Sequence, residues 1–220
     1  MRIRDRIEVS MATQRRATWV MQVCLVGMFF IGIDRGDTGI VVNAGVALVV
    51  AQLPPILQRD YEIPMNPALT LWITGAVFLH ALGTVGLPGS SLNFYTTVWW
   101  YDHVTHALSA SVVAAAGYIT VRAIDRHNDD IYLPPRFTFV FVLLTTIAFG
   151  VFWEVIEFTV SQASLLLGAT SVLTQYGLSD TMLDLLFDVV GAVVVAAWGT
   201  AYLTDVVGAV TARLDARAKR

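Results

Sequence analysis

A chain of 220 residues that is 56% hydrophobic and only 14% charged, with a mean hydropathy of +0.65, is too apolar for an ordinary soluble domain and reads as an integral membrane protein. Its formal net charge of -3 provides no basic surface for nucleic acid. The one cysteine, Cys24, lies in an apolar run, so it forms no intrachain disulfide, offers no zinc-thiolate pattern and is silent about redox compartment. The excess of Arg over the single Lys, Lys219, carries no functional meaning of its own.

A hydrocarbon core of roughly 30 Å takes about 20 helical residues to cross. Six stretches meet that length, at 17–33, 39–57, 66–87, 99–121, 136–160 and 180–208. The first follows an Arg-rich leader without a small-residue cleavage site, which predicts a retained anchor rather than a removed signal peptide. In the second, Pro54 and Pro55 are expected to distort the last turn, a feature that membrane helices tolerate better than soluble ones. No internal repeat or low-complexity run is evident. The expected fold is all-α, a polytopic membrane helical bundle of about six transmembrane helices. Residues 1–16 form a cytoplasmic basic N-terminal segment, 17–208 the transmembrane domain and 209–220 a cytoplasmic basic tail.

Basic residues near span ends are retained on the cytoplasmic side. The leader (Arg2, Arg4, Arg6, Arg15, Arg16), the second loop (Arg59), the fourth loop (Arg122, Arg126, Arg136) and the tail (Arg213, Arg217, Lys219, Arg220) hold all the Lys and Arg but Arg35. Both termini are therefore expected in the cytoplasm, in a prokaryotic plasma (inner) membrane, and depths follow. At 1.5 Å per residue His80 lies about 10 Å below the outer end of the third span, and Asp188 about 12 Å below that of the sixth. Asp102, His103 and His106 of "WYDHVTH" occupy the first two turns of the fourth span. Glu154 and Glu157 of "FWEVIEF" occupy the last two turns of the fifth, and Asp180, Asp184 and Asp188 descend the sixth. Four helices thus bring polar groups to one outer level.

Residues three or four apart share a helix face, so Asp102 with His106, His103 with His106, Glu154 with Glu157, and the ladder Asp180, Asp184, Asp188 are each placed to cooperate. An ionisable residue in a span costs at least about 2.5 kcal/mol and usually marks a site or a pathway. Six carboxylates here have no Lys or Arg in their half of the membrane except Arg35. Buried negative charges without such partners take up protons or hold a cation. Imidazole and carboxylate donors without thiolate suit Zn, Fe or Mn, and paired Glu and His motifs on facing helices are how di-metal carboxylate bundles are built. One or two divalent transition-metal ions are expected, with a proton-sharing network as the rival.

Each element also has a plain structural role available. Asp102 and Asp180 suit helix N-caps, His80 a hydrogen-bonded interior histidine, and the tryptophans interface anchors. Asp188 is deep for a shared centre. The motifs "WYDHVTH", "FWEVIEF" and "DTMLDLLFDVVGA", in that order on the last three spans, resemble the uncharacterised YjdF-like inner-membrane proteins of bacteria and archaea. The similarity runs from the third span onward; the first two spans match only loosely. It implies a multi-span helical architecture with no established reaction, and it marks Asp102, His103, His106, Glu154, Glu157, Asp180 and Asp184 as shared positions. Asp188 and His80 are not transferred.

The segment "SQASLLLGATSVLTQYGLSD" has no charge before Asp180 and is too short for two crossings, so an interfacial or re-entrant cover over the site is expected. Ser90 and Ser91 of "GLPGSSLNFYTT" carry no nucleophile motif. The favoured function is a metal-dependent hydrolase acting on a lipid or lipid-linked substrate, with membrane lipids as partners. The expected metal ligands are Asp102, His103, His106, Asp180 and Asp184, with His80 and Asp188 as possible additions, and the expected catalytic carboxylates are Glu154 and Glu157. Phosphate chemistry is disfavoured, because no Lys or Arg surrounds the site. A proton- or cation-coupled transporter uses the same residues but lacks a polar ladder at inner depth, and a structural or accessory subunit leaves the acids unaccounted for.

Overall fold

The computed structural model describes residues 9–86, 92–169, 171–173 and 175–219. Arg2, Arg4 and Arg6 of the leader and Ser90 and Ser91 of the third loop lie outside the described residues. The elements are α1 (Met11–Arg35), α2 (Thr38–Val50), α3 (Leu53–Tyr61), α4 (Pro67–Thr84), α5 (Phe94–Thr97), α6 (Tyr101–His127), α7 (Pro135–Leu167), α8 (Leu178–Tyr202) and α9 (Thr204–Ala218). No strand occurs among the described residues. Six helical segments are long and apolar enough to cross a membrane, α2 and α3 together forming the second. The protein is an all-α polytopic bundle.

Local chemistry sets the boundaries. Gly36 ends α1 at φ +62°, a left-handed conformation that glycine adopts without a Cβ penalty. Asp37 then caps α2, accepting from the Ile40 N–H at 3.0 Å, so α1 and α2 form a tight hairpin. Pro54 and Pro55 do interrupt the second crossing: the chain turns at Ala51 and Gln52, and the prolines fall in the first turn of α3, where their missing N–H groups cost nothing. Asn66 caps α4 ahead of Pro67, accepting from the Leu69 N–H at 2.9 Å.

Three boundaries differ from expectation. The fourth crossing begins at Tyr101, after a turn at Trp99 and Trp100, and extends to His127. The fifth continues to Leu167, because nothing breaks the helix before Gly168 (φ +63°). The sixth ends at Tyr202, and the apolar run beyond it belongs to α9. Leu203, Val206 and Val207 are buried there in the core with Tyr118 and Val142, so their hydrophobicity serves packing against the bundle and not lipid contact.

Ala, Thr and buried acids contribute much of the interior beside Leu25, Ile40 and Val142, while many large aliphatic and aromatic side chains face outward. One buried cluster joins α4, α6, α7, α8 and α9 through Leu69, Ala114, Val142, Ala192 and Val206. A second joins α1, α2 and α4 through Leu25, Met28, Ala44, Ala47 and Ala81. Trp19, Phe30, Val49, Leu144, Phe152, Leu186 and Trp198 all face outward. Helices in lipid gain nothing from burying Leu against Leu, so close approach through Ala and Gly does the work of association.

Topology gathers opposite chemistry at the two ends. Tyr61 of α3 holds Arg213 of α9 over its ring at 5.1 Å, which fixes these elements at the basic end. His127 of α6 lies 2.5 Å from Asp215 at the same end. At the other end Arg35 donates to the Gly86 carbonyl at 3.3 Å. Among the described residues it makes no ion pair with the acids.

Candidate functional site

Glycines bring the helices that carry the acids and histidines together. A Cβ on Gly191 of α8 would run into the Ala107 carbonyl oxygen and stand 3.0 Å from the Ser111 amide, so α6 and α8 touch backbone to backbone at this level. A Cβ on Gly150 of α7 would overlap the Asp188 carboxylate and stand 3.1 Å from Leu185. One glycine closes the α6–α8 seam and the other gives the Asp188 side chain its room.

His106 is the hub. Its Nδ1 lies 3.4 Å from Asp188 Oδ1, while Nε2 lies 3.7 Å from Asp102 Oδ1 and 4.0 Å from Asp184 Oδ2. With Nδ1 carrying the hydrogen toward Asp188, the Nε2 lone pair faces the other two carboxylates, the tautomer that an imidazole ligand needs. Asp184 and Asp188 are 1% and 4% exposed, so their charges cannot be left to water. Single donor atoms of Asp102, His106 and Asp184 all lie within 4.8 Å of one another, a group able to hold a metal ion. His103 stands one turn back, its Nδ1 3.5 Å from Asp184 Oδ1 and its ring stacked on Phe187 at 4.7 Å.

The two glutamates arrive from α7. Glu157 accepts from Trp153 Nε1 at 3.0 Å, and Glu154 Oε2 accepts from the Thr181 hydroxyl at 2.7 Å. Both glutamates are buried. Asp102 and Glu157 also line a cavity of about 210 Å³ whose wall includes Asp37, Asn43, His80, Tyr95 and Tyr176. One side of that cavity is the α7–α8 connection. Ser171, Val172 and Leu173 border it, and Asn43 Nδ2 donates to the Val172 carbonyl at 3.0 Å across a long sequence separation. Of the segment expected to form a cover, residues 161–167 instead continue α7, and Ser171, Val172 and Leu173 border the cavity.

The remaining expected residues divide. Asp180 accepts from the Tyr176 N–H at 3.2 Å, which ties the connection to the first turn of α8; it stands outside the Asp102, His106, Asp184 group. His80 lies outside it too. The Tyr95 hydroxyl donates to the His80 carbonyl at 3.1 Å and lies 2.9 Å from its Nδ1, and the imidazole packs edge-on against Trp153, the arrangement of an interior histidine on a cavity wall. Burial, with the Asp102 charge adding to it, holds the Tyr95 phenol well above its ordinary pKa, so it stays a donor. Asp188 is deep, as its position implied, yet it reaches His106 from below. Asp102 sits in the first turn of α6 without being its N-cap, which is Trp100. Trp99 and Trp100 are exposed at that mouth, as interface anchors would be, whereas Trp153 is committed to Glu157.

Residues 16–205 match the family described as predicted membrane protein (DUF2238). The chain belongs to this family. A Thermotoga maritima protein described as uncharacterized is 33% identical over 135 residues, covering 61% of this chain and 62% of that protein's length. No solved structure matches. This DUF2238 protein agrees with the multi-span family that its last three spans resemble. It also carries cavity residues that motif reading passed over, namely Asp37, Asn43, Asn93, Tyr95 and Tyr176. Asn43 had a signal, an amide in the middle of the otherwise apolar run TGIVVNAGVALVV. The others lie outside the spans, where polarity is unremarked.

Proposed function

We propose that the protein is a metal-dependent enzyme of a prokaryotic plasma membrane, with its basic end in the cytoplasm, acting at the outer leaflet on a lipid or lipid-linked substrate. The observation that supports this most is donor spacing. His106 Nε2 stands 3.7 and 4.0 Å from two carboxylate oxygens, beyond any hydrogen bond. Bonds of about 2.0–2.1 Å in a tetrahedral site set donors roughly 3.3 Å apart, so a bound ion would draw these two oxygens in by about 0.4 and 0.7 Å. A proton-sharing network would draw such oxygens to about 2.5–3.0 Å. The donor set, one imidazole and two carboxylates with no thiolate, fits Zn, Fe or Mn.

Asp102, His106 and Asp184 would hold the ion, and Asp188 fixes the His106 ring so that Nε2 faces it. A divalent ion in that position polarises a carbonyl or phosphoryl oxygen and lowers the pKa of water. Glu157, on the cavity wall and oriented by Trp153, is the base that takes a proton from the attacking water. The cavity lies at the headgroup end of the crossings, where the polar part of a lipid sits while its chains stay in the bilayer. Its lining has no Lys or Arg, which argues for an uncharged or cationic reacting group over a phosphate.

The test is metal analysis of the full chain purified in detergent, followed by incubation with membrane lipid extract and mass spectrometry of the products. A stoichiometric ion that disappears in His106→Ala, with ion-dependent loss of one lipid class, is the expected result. A wild-type chain that holds no ion after loading overturns the reading, and proton-coupled flux in liposomes would then favour transport.

A further inference from the structure

A second cavity, of about 410 Å³, has the opposite chemistry to the first. It lies where the early turns of α1, the end of α3 and the start of α4 meet, bordered by Arg15, Trp19 and Gln22, by Gln58, and by Pro67 and Thr70. The acid-lined cavity touches α4 near its other end, at His80 and Thr84. At 1.5 Å per residue Thr70 and Thr84 stand about 21 Å apart along α4, so the two cavities sit at opposite ends of the crossings. Among the described residues the first is walled by Asp37, Asp102 and Glu157 with no Lys or Arg, and the second by Arg15 with no Asp or Glu.

Arg15, Thr18, Trp19 and Gln22 recur three and four residues apart, so α1 turns a single face to this groove. The Thr18 and Thr70 hydroxyls donate back to the Gln14 and Asn66 carbonyls at 3.0 and 3.2 Å, which uses their protons. Arg15 and Gln58 are not used in this way: neither side chain has a hydrogen bond or ion pair among the described residues. Arg59, one residue along, is committed to Asp60 at 2.6 Å. Gln22 Nε2 reaches the Ala51 carbonyl only at 3.5 Å, a weak bond. The groove therefore offers a guanidinium and two amides to a ligand that must bring its own negative charge, and a guanidinium fork matches phosphate oxygens. Beyond it α1 carries Trp19, Val23, Val26, Phe30 and Ile33, 44% to 65% exposed, at spacings of four, three, four and three. That stripe runs about 21 Å along one helix face, longer than one leaflet of a hydrocarbon core of roughly 30 Å. Trp19 stands at its polar end, the level at which membrane tryptophans meet headgroups.

We propose that this groove binds an anionic phospholipid, its phosphate paired with Arg15 and hydrogen-bonded by Gln22 and Gln58, and an acyl chain lying along Trp19, Val23 and Val26. Basic pockets between helices are the recognised form of such sites. A volume of about 410 Å³ falls within the roughly 300–1,000 Å³ of small-ligand pockets. The site is separate from the acid cavity and stands whether or not that cavity holds a metal.

The experiment titrates the delipidated full chain in detergent with phosphatidylglycerol, with phosphatidylcholine of the same chains, and with inorganic phosphate, and counts bound molecules by native mass spectrometry. The wild type is expected to retain one phosphatidylglycerol about fivefold more tightly than phosphatidylcholine, the worth of one basic residue at a lipid surface. Arg15→Gln is expected to remove that preference. Arg16→Gln takes away the same charge beside the groove and is expected to leave it intact. Equal binding of the two lipids by the wild type overturns the proposal, as does a preference that survives Arg15→Gln. Loss of the preference in both variants overturns it too, because the attraction would then belong to the whole basic end. Displacement of the lipid by inorganic phosphate assigns the groove to a free anion and overturns the lipid as its occupant.

Discussion

Gly191→Ala tests the claim that backbone contact between α6 and α8 builds the site. The new Cβ would meet the Ala107 carbonyl oxygen and would lie 3.0 Å from the Ser111 amide nitrogen, both backbone atoms that no rotamer change can move. Carbon and carbonyl oxygen ordinarily come no closer than roughly 3.3 Å, so the helices must part by about 1 Å. Overpacking of this kind costs about 1–3 kcal/mol, and a chain of this size loses about 2–4 °C of Tm per kcal/mol. The same separation pulls Asp102 and His106 of α6 from Asp184 of α8. If the whole cost falls on the ion-bound form, affinity drops roughly 5- to 150-fold. Gly117→Ala is the matched control: on α6 its Cβ meets only Thr145 at 3.8 Å, an ordinary contact, and alanine favours the helix. The assay is thermal unfolding in detergent with and without ion, beside a metal titration. A Gly191→Ala chain that melts and binds like Gly117→Ala refutes the packing argument.

Three further outcomes are expected. Glu157→Gln keeps its metal content, read by mass spectrometry, while turnover of the lipid substrate falls on the order of 10²- to 10⁴-fold, the usual worth of a positioned base. Adding a divalent ion at 100 times its Kd raises stability by about 2.7 kcal/mol, seen as a higher Tm, and Asp184→Asn abolishes the increase. Asn43→Ala removes the donor to the Val172 and Gly39 carbonyls. It costs on the order of 1 kcal/mol and speeds amide exchange in the α7–α8 connection while the helices keep their protection.

Hydropathy carried most of the architecture, because bilayer thickness translates directly into helix length. That signal fails where residues are buried by protein. The run from Leu203 to Val207 has the composition of a span and the packing of a core, which is why the sixth crossing looks longer in sequence than it is. Helical spacing put His106 beside Asp102, since i to i+4 geometry is fixed by the backbone alone. Depth was a poorer guide. Asp188 is a turn below Asp184, yet the Gly150 surface lets its side chain reach His106 from beneath. No pattern within one helix reveals space made by another. The cavity wall supplied by α2 was invisible for the same reason: Asp37 and Asn43 look like a cap and a lone amide until the α1–α2 hairpin packs beside α4.

The ladder on α8 carries the same point to function. Asp180, Asp184 and Asp188 are chemically identical, evenly spaced and on one face, and sequence alone separates them only by depth and by the N-cap role open to Asp180. Their neighbours give each a different set of contacts. Asp180, at the first turn, takes the Tyr176 amide and holds the connection down. Asp184, almost fully buried, faces His103 and His106 and has no Lys or Arg within ion-pair reach among the described residues. Asp188, against Gly150, turns to Nδ1 of His106 and sets which nitrogen that ring offers. What each acid does follows from what the facing helix presents at that depth: α6 presents His103 and His106 to Asp184 and His106 alone to Asp188, and Asp180 makes no histidine ion pair among the described residues. Moving His106 one turn, as the pair His106→Ala and Ala110→His does, would shift the pairing toward Asp188. It would do so only if Gly150 left that carboxylate free to turn.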